Sequence, residues 1–172
     1  MPFGSAFGAV AAEQTFRKRA NYGDQDVKSD NYETSSKAMS YWDDIAEEYQ
    51  GALRISTDDF HYGPLLPGDR QFRLLPPQLS GLNCLELGCG GGQNSIFLAR
   101  QGARCTAVDG ASAQLNYAAE LAHKHGASLR FVHADLDQPL PFAGEKFNLI
   151  HSSYTLPFLK NPAALIRWCA TA

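Results

Sequence analysis

An apolar run that ends in an acid and leads straight into three alternating glycines constrains this chain more than any other feature: Asn83-Cys84-Leu85-Glu86-Leu87-Gly88-Cys89-Gly90-Gly91-Gly92-Gln93-Asn94. The run reads as a strand that feeds a tight loop, and the loop opens a helix. Glycine at 88, 90 and 92 lets the backbone take positive φ and lets a ligand approach the main chain where a Cβ would block it. A helix starting at Gln93 turns free N–H groups and a positive dipole end toward that loop. In α/β proteins this order of elements binds anionic or polar nucleotide-like ligands, although a glycine triplet alone also fits a mere turn.

A second signal is in register with the first. Asp109 stands about 20 residues beyond Gly88, at the end of the apolar run Cys105-Thr106-Ala107-Val108, where nucleotide folds place a carboxylate that accepts ribose hydroxyls. The glycine spacing then separates two ligand classes. A dinucleotide loop, G-x-G-x-x-G, requires glycine at 93, and the chain has Gln93 there. The pattern is instead E-x-G-x-G-x-G from Glu86 to Gly92, which resembles the first motif of the class I S-adenosylmethionine-dependent methyltransferases. The resemblance runs from about Tyr41 to the C-terminus.

Later segments carry the same resemblance. A helix from about Ser112 to His125, closed by Gly126, leads to a third strand, Leu129-Arg130-Phe131-Val132-His133, and then to Ala134-Asp135-Leu136, which is similar to the family's adenine-binding turn. By that resemblance Asp135 accepts from the adenine amino group and the Leu136 N–H meets a ring nitrogen. Gln138-Pro139-Leu140-Pro141-Phe142 and the fourth strand, Lys146-Phe147-Asn148-Leu149-Ile150-His151, follow the family order. Asn148 replaces a usual Asp, which touches only a structural loop contact. Gly110 is a second departure, because the family often has an apolar side chain there that packs on the adenine face. The resemblance further implies that Glu86 lies near the methionyl ammonium, that the loop through Gly88, Cys89, Gly90, Gly92 and Asn94 follows the methionine and ribose portion, and that Asp109 and Gly110 flank the ribose. The implied cofactor is S-adenosyl-L-methionine, with S-adenosyl-L-homocysteine as product.

Ahead of this core, Trp42, Ile45, Ala46 and Tyr49 recur at i, i+3, i+4 and i+7, with Ser40 as N-cap and Asp43 three residues later, which predicts a helix over Ser40–Gln50. In methyltransferases resembling this chain such a helix packs over the cofactor pocket. Trp42 and Ile45 read equally well as core, and Tyr41 and Tyr49 are the better candidates for lining the site. Phe60-His61-Tyr62-Gly63-Pro64-Leu65-Leu66-Pro67-Gly68 is too rich in proline and glycine for regular structure and reads either as a lid or as a packed surface loop. The expected organisation is a flexible arm over 1–39, a helical and loop lid segment over 40–80, and the N-terminal part of a Rossmann-like domain over 81–172. The arm includes the basic cluster Arg17-Lys18-Arg19, which reads as a solvated run.

The expected fold class is α/β, a Rossmann-like three-layer α/β/α sandwich with a mostly parallel sheet, truncated after the fourth strand and the helix that follows it. An open fourth-strand edge is prone to association, so self-association through it is an expectation. The net charge of −3 argues against a nucleic-acid-coating surface, and no run is long and apolar enough for a membrane span. Four cysteines, at 84, 89, 105 and 169, show neither C-x-x-C pairing nor metal spacing, which fits reduced thiols in a cytoplasmic protein and no metal site. Methyl transfer from a sulfonium by in-line displacement needs a positioned acceptor, here a small molecule, and sometimes a base. His61 and His151 are the positional candidates for that base, with a structural role as the alternative for each. Two other readings compete: a cofactor-binding but inactive domain that serves as an interaction partner, and a nicotinamide-dependent oxidoreductase, which Gln93 disfavours.

Overall fold

The computed structural model describes residues 33–53, 55–63 and 66–172. Arg17-Lys18-Arg19 and most of the expected arm lie outside them. Helix α1 (Glu33–Leu53) and the single turn α2 (Asp69–Phe72) precede the sheet, which consists of β1 (Asn83–Leu87), β2 (Arg104–Asp109), β3 (Leu129–His133) and β4 (Leu149–His151). Helix α3 (Gln93–Arg100) joins β1 to β2, α4 (Ser112–Lys124) joins β2 to β3, and α5 (Pro162–Cys169) follows β4. The strand order is β3-β2-β1-β4 and every neighbouring pair is parallel, with β4 at one edge.

Alternate residues of β1 serve opposite faces, as the pleat requires. Leu85 and Leu87, with Val108 of β2, pack toward Leu136, Phe142 and Leu165 of α5. Cys84 and its β2 partner Cys105 face Leu98 of α3, Ala103 and Phe60 on the other side. Both faces of the central strands are therefore covered, which is why they read as continuous apolar runs rather than alternating ones. The result is the three-layer α/β/α sandwich with a parallel sheet. No helix among the described residues is long and apolar enough to cross a membrane.

Helix α1 corrects the sequence reading in two ways. It already includes Glu33, so the boundary expected between residues 39 and 40 falls inside one helix and Ser40 is not its N-cap. Asp43 does not serve its own helix either. Its Oδ1 accepts the Ala113 N–H at 2.7 Å and the Ser112 hydroxyl at 3.2 Å, capping α4 from outside, where the N-cap residue Ala111 has no side chain that could.

The segment after α1 is anchored. Phe60 is buried in the α3-side core, the Tyr62 hydroxyl donates to Asp69 at 2.6 Å, and Asp69 also accepts the Leu74 and Leu75 N–H groups. Asn148, the departure from the family's Asp, still closes its loop, because its Oδ1 accepts the Asn83 N–H at 2.8 Å. Replacing Asp43 by Ala is expected to lower stability by about 1 kcal/mol, the usual loss of an N-cap, with an unchanged denaturant slope in urea unfolding. A midpoint equal to that of the unaltered chain would mean that α1 does not cap α4 in solution.

Candidate functional site

The loop after β1 is shaped by its own amides. Gly88, Gly90 and Gly92 all adopt positive φ, at 72°, 51° and 70°. The Gly88 and Cys89 N–H groups both donate to the Val108 carbonyl, at 2.8 and 2.9 Å, and the Gly90 N–H donates to Asp109 Oδ2 at 2.7 Å. Asp109 Oδ1 accepts the Ala111 N–H at 2.9 Å, so this carboxylate joins the glycine loop to the start of α4. At Gly88 a side chain is excluded twice over, by φ and by Thr155, whose hydroxyl donates to the Gly88 carbonyl at 3.1 Å.

Above the carboxyl ends of the strands lies a cavity of about 430 Å³. Glu86, Gly88, Cys89, Gly90, Asp109, Gly110, Asp135, Leu136, Tyr49 and His61 all line it. Gly92, Asn94, Tyr41 and His151 do not. Asn94 is wholly buried and instead latches the backbone of His61, accepting its N–H at 2.8 Å and donating to its carbonyl at 2.9 Å. Tyr41 stacks edge-on against Trp42, and it is Trp42 that reaches the cavity. His151 sits behind the wall, its ring 4.9 Å from that of Phe60, with neither ring nitrogen hydrogen-bonded among the described residues. Of the two histidines, only His61 lines the cavity.

Helix α1 supplies several residues that the sequence reading missed, among them Met39 and Gln50. Gln50 accepts from Gln93 Nε2 at 2.7 Å and donates to Gln114 Oε1 at 2.8 Å, so three buried amides tie α1 to α3 and α4. The last of them, Gln114 Nε2, is buried on the cavity wall without a hydrogen-bond partner among the described residues. A signal for Gln50 was present, since Trp42, Ala46 and Gln50 follow one another at i, i+4 and i+8 on a single face. Gln93, which excluded a dinucleotide loop by its identity, serves here as a donor.

Electrostatically the cavity is one-sided. Its described wall carries Glu86, Asp109, Asp135 and Asp137 and no lysine or arginine. Burial pushes the Glu86 carboxyl up to about 8, against the opposing Ser95 N–H and hydroxyl that its Oε2 accepts at 3.0 and 2.6 Å, and the nearby Asp109 charge adds to the rise. Burial raises Asp109 as well, opposed by the backbone N–H groups of Ala111, Gly90 and Gly110. In the other direction, burial lowers His151 to about 3 and His61 to about 4. The 3.8 Å between His151 Nδ1 and Glu86 Oε1 exceeds hydrogen-bond reach, and with both groups neutral near pH 7 it is no ion pair. Cys89, beside these acids, has its thiol pushed well up by burial and by Asp109 and Glu86, so it is a packing residue rather than a nucleophile.

A parallel α/β sheet with a glycine loop at β1, an acid ending β2 and an acidic turn after β3 is the architecture that the sequence resemblance to the class I methyltransferases implies. The model of the family described as "Methyltransferase domain" matches residues 84–172, just over half of the chain, and the chain belongs to that family, the class I S-adenosylmethionine-dependent methyltransferases. The ubiquinone biosynthesis O-methyltransferase of Maricaulis maris is 30% identical over 120 residues, covering 70% of this chain and 43% of that protein. Its counterpart from a Methylobacterium species is 31% identical over 97 residues, covering 56% and 39%. The chain thus spans about two-fifths of the length of these curated relatives. The [4+2]-cyclase SpnF superposes with a TM-score of 0.61 at 22% identity, over 77% of this chain and 54% of that one. Phosphoethanolamine N-methyltransferase 1 of Haemonchus contortus, solved with phosphoethanolamine and S-adenosylhomocysteine, gives 0.63 at 13%, over 83% and 30%. At these identities the two structures show a shared fold.

The opposed shifts set a pH profile for the ligand-free chain. Between the lowered folded values of His61 and His151 and their ordinary 6.5, the unfolded chain binds more protons at both, so stability rises with pH. Between the ordinary 4.5 of Glu86 and its folded value of about 8 the folded chain binds the extra proton, so stability falls as pH rises. Below 6.5 the two histidines are opposed by Glu86 and by Asp109, whose carboxyl burial also raises, and above 6.5 only the carboxyls remain, each contributing at most about 1.4 kcal/mol per pH unit. Melting temperatures are expected to fall from pH 6.5 toward 8. A melting temperature that rises steadily to pH 8 would mean that Glu86 is ionised in the folded chain.

Proposed function

We propose that this chain binds S-adenosylmethionine and serves methyl transfer to a small-molecule acceptor. The observation that carries the reading is the convergence of four carboxyl groups and a glycine loop on a cavity whose described wall holds no lysine or arginine. Burial holds two of these acids, Glu86 and Asp109, above their ordinary range, and a bound cation would favour their ionised forms. S-Adenosylmethionine supplies two, an ammonium and a sulfonium whose methyl is open to in-line displacement.

The chain's own groups then take distinct parts. Glu86 Oε2 is held by Ser95, which orients the carboxyl and leaves Oε1 for the ammonium. Asp109 and Asp135 line the nucleoside end, for ribose hydroxyls and the adenine amino group, with the Leu136 N–H beside them. Gln114 Nε2, a buried donor in need of an acceptor, serves the polar atoms of the ligand. His61 is neutral at physiological pH and fixed through its backbone by Asn94 and Ser153, so its ring can accept the hydrogen bond of an acceptor hydroxyl. The aromatic wall of Trp42, Tyr49 and Phe158 excludes water from the transfer. An oxygen acceptor is favoured by the O-methyltransferase names of the curated relatives. The open edge at β4 is where a further strand or a second copy would pair, and sedimentation as a monomer at every concentration would remove the second copy.

Calorimetric titration with S-adenosylhomocysteine, with NADH as control, tests the reading. Micromolar binding of the former alone is expected, and tight NADH binding without it would overturn the cofactor class. Asp109→Ala should weaken binding by about 1 to 3 kcal/mol, the scale of losing a charge-assisted partner. Because the ammonium requires ionised Glu86, affinity should rise with pH from 6.5 toward 8 and a proton should be released on binding. Affinity independent of pH over that range would remove Glu86 from the ammonium site.

A further inference from the structure

Gly110 has no conformational reason to be glycine. Its φ lies outside the left-handed region, so a side chain would not strain the backbone. What excludes one is Met39. A Cβ built on Gly110 would stand 2.6 Å from Met39 Sδ and 2.8 Å from its Cγ, and the next nearest atom, the Ala134 carbonyl oxygen, is 3.7 Å away. Without Met39 the position is open.

Met39 belongs to α1, far from the sheet in sequence, yet it lines the same cavity as Gly110. Its thioether also has a particular address. Gly110 directly follows Asp109, and Ala134 directly precedes Asp135, so Met39 lies against the backbone beside the first acid and lines the cavity that both acids share. A methionine is well suited to that place, because its flexible, polarizable thioether packs on aromatic faces and edges.

Helix α1 is held in this position by polar contacts at two further points. Asp43, four residues after Met39, caps α4, and Gln50 bridges Gln93 and Gln114. The second bridge orients Gln114 so that its unpartnered Nε2 remains on the cavity wall. Docking of α1 therefore completes an apolar part and a polar part of the pocket together.

We propose that Met39, carried by α1 rather than by the sheet, forms the apolar face on which the adenine of the bound nucleoside packs, in the space a side chain at position 110 would otherwise fill, so that this subsite is complete only while α1 is docked. The inference rests on the cofactor reading above. It makes α1 a part of the nucleoside site and not solely a cover over it, and it explains a glycine that the backbone does not require.

The test is calorimetric titration of the chain with two probes, S-adenosylhomocysteine and 5′-methylthioadenosine, which share the adenosine but not the amino-acid tail. Met39→Ala should weaken both by about fivefold to tenfold, the scale of losing part of a buried methionine's apolar contact, while Met39→Leu stays within about twofold as a volume-conserving change. Gly110→Leu alone should also weaken both probes, because the new side chain and Met39 compete for one space. The double variant Met39→Ala with Gly110→Leu should recover to within about threefold of the unaltered chain. That recovery cannot come from a misfolded protein, and thermal melts of each variant check the fold directly.

Binding by the unaltered chain that Met39→Ala leaves unchanged would overturn the inference and spare the cofactor reading. So would a loss confined to S-adenosylhomocysteine, which would place Met39 at the tail, or a double variant no better than the weaker single one. Absence of binding of either probe by the unaltered chain would overturn the cofactor reading and this inference with it.

Discussion

The two hydrogen bonds that Gly88 and Cys89 donate to the Val108 carbonyl are the constraint on which the site depends. They turn the chain away from β1 and hold the glycine loop against the end of β2, which brings Asp109 within 2.7 Å of the Gly90 N–H. Only a backbone at positive φ can make that turn, and Gly88 must also leave room for Thr155. The floor of the cavity, the start of α3 and the position of the second acid all follow from this one crossing between neighbouring strands.

Above that floor the described wall of the cavity gathers four carboxyl groups and no lysine or arginine. Glu86 tolerates burial because Ser95 gives it two donors and because it holds its proton near neutral pH. His61 and His151 tolerate theirs by remaining neutral, for the same desolvation cost acting with opposite sign on a base. Beside them, Gln114 Nε2 stays buried without a hydrogen-bond partner among the described residues.

Much of this was legible in the sequence. The strand, loop and helix from Asn83 to Arg100, the acid at 109, the helix from Ser112 and the strand Leu129–His133 stand where period, glycine spacing and apolar runs put them. Less legible were the partners of particular side chains. Asp43 reads as a cap for its own helix and instead caps α4. Asn94 reads as a loop contact for the ligand and instead latches His61, and His151 ends the strand as expected yet turns behind the wall.

The sequence by itself determined the sandwich, the loop and the order of the acids, because these rest on backbone preferences and on a period of apolar residues that neighbours in the chain already encode. Only the tertiary structure decided what α1 contributes. Met39 beside Gly110, Gln50 between Gln93 and Gln114, and Asp43 on α4 are contacts across 43 to 71 positions of sequence. No local pattern carries them, since a helix states which of its faces is apolar but not which surface that face will meet.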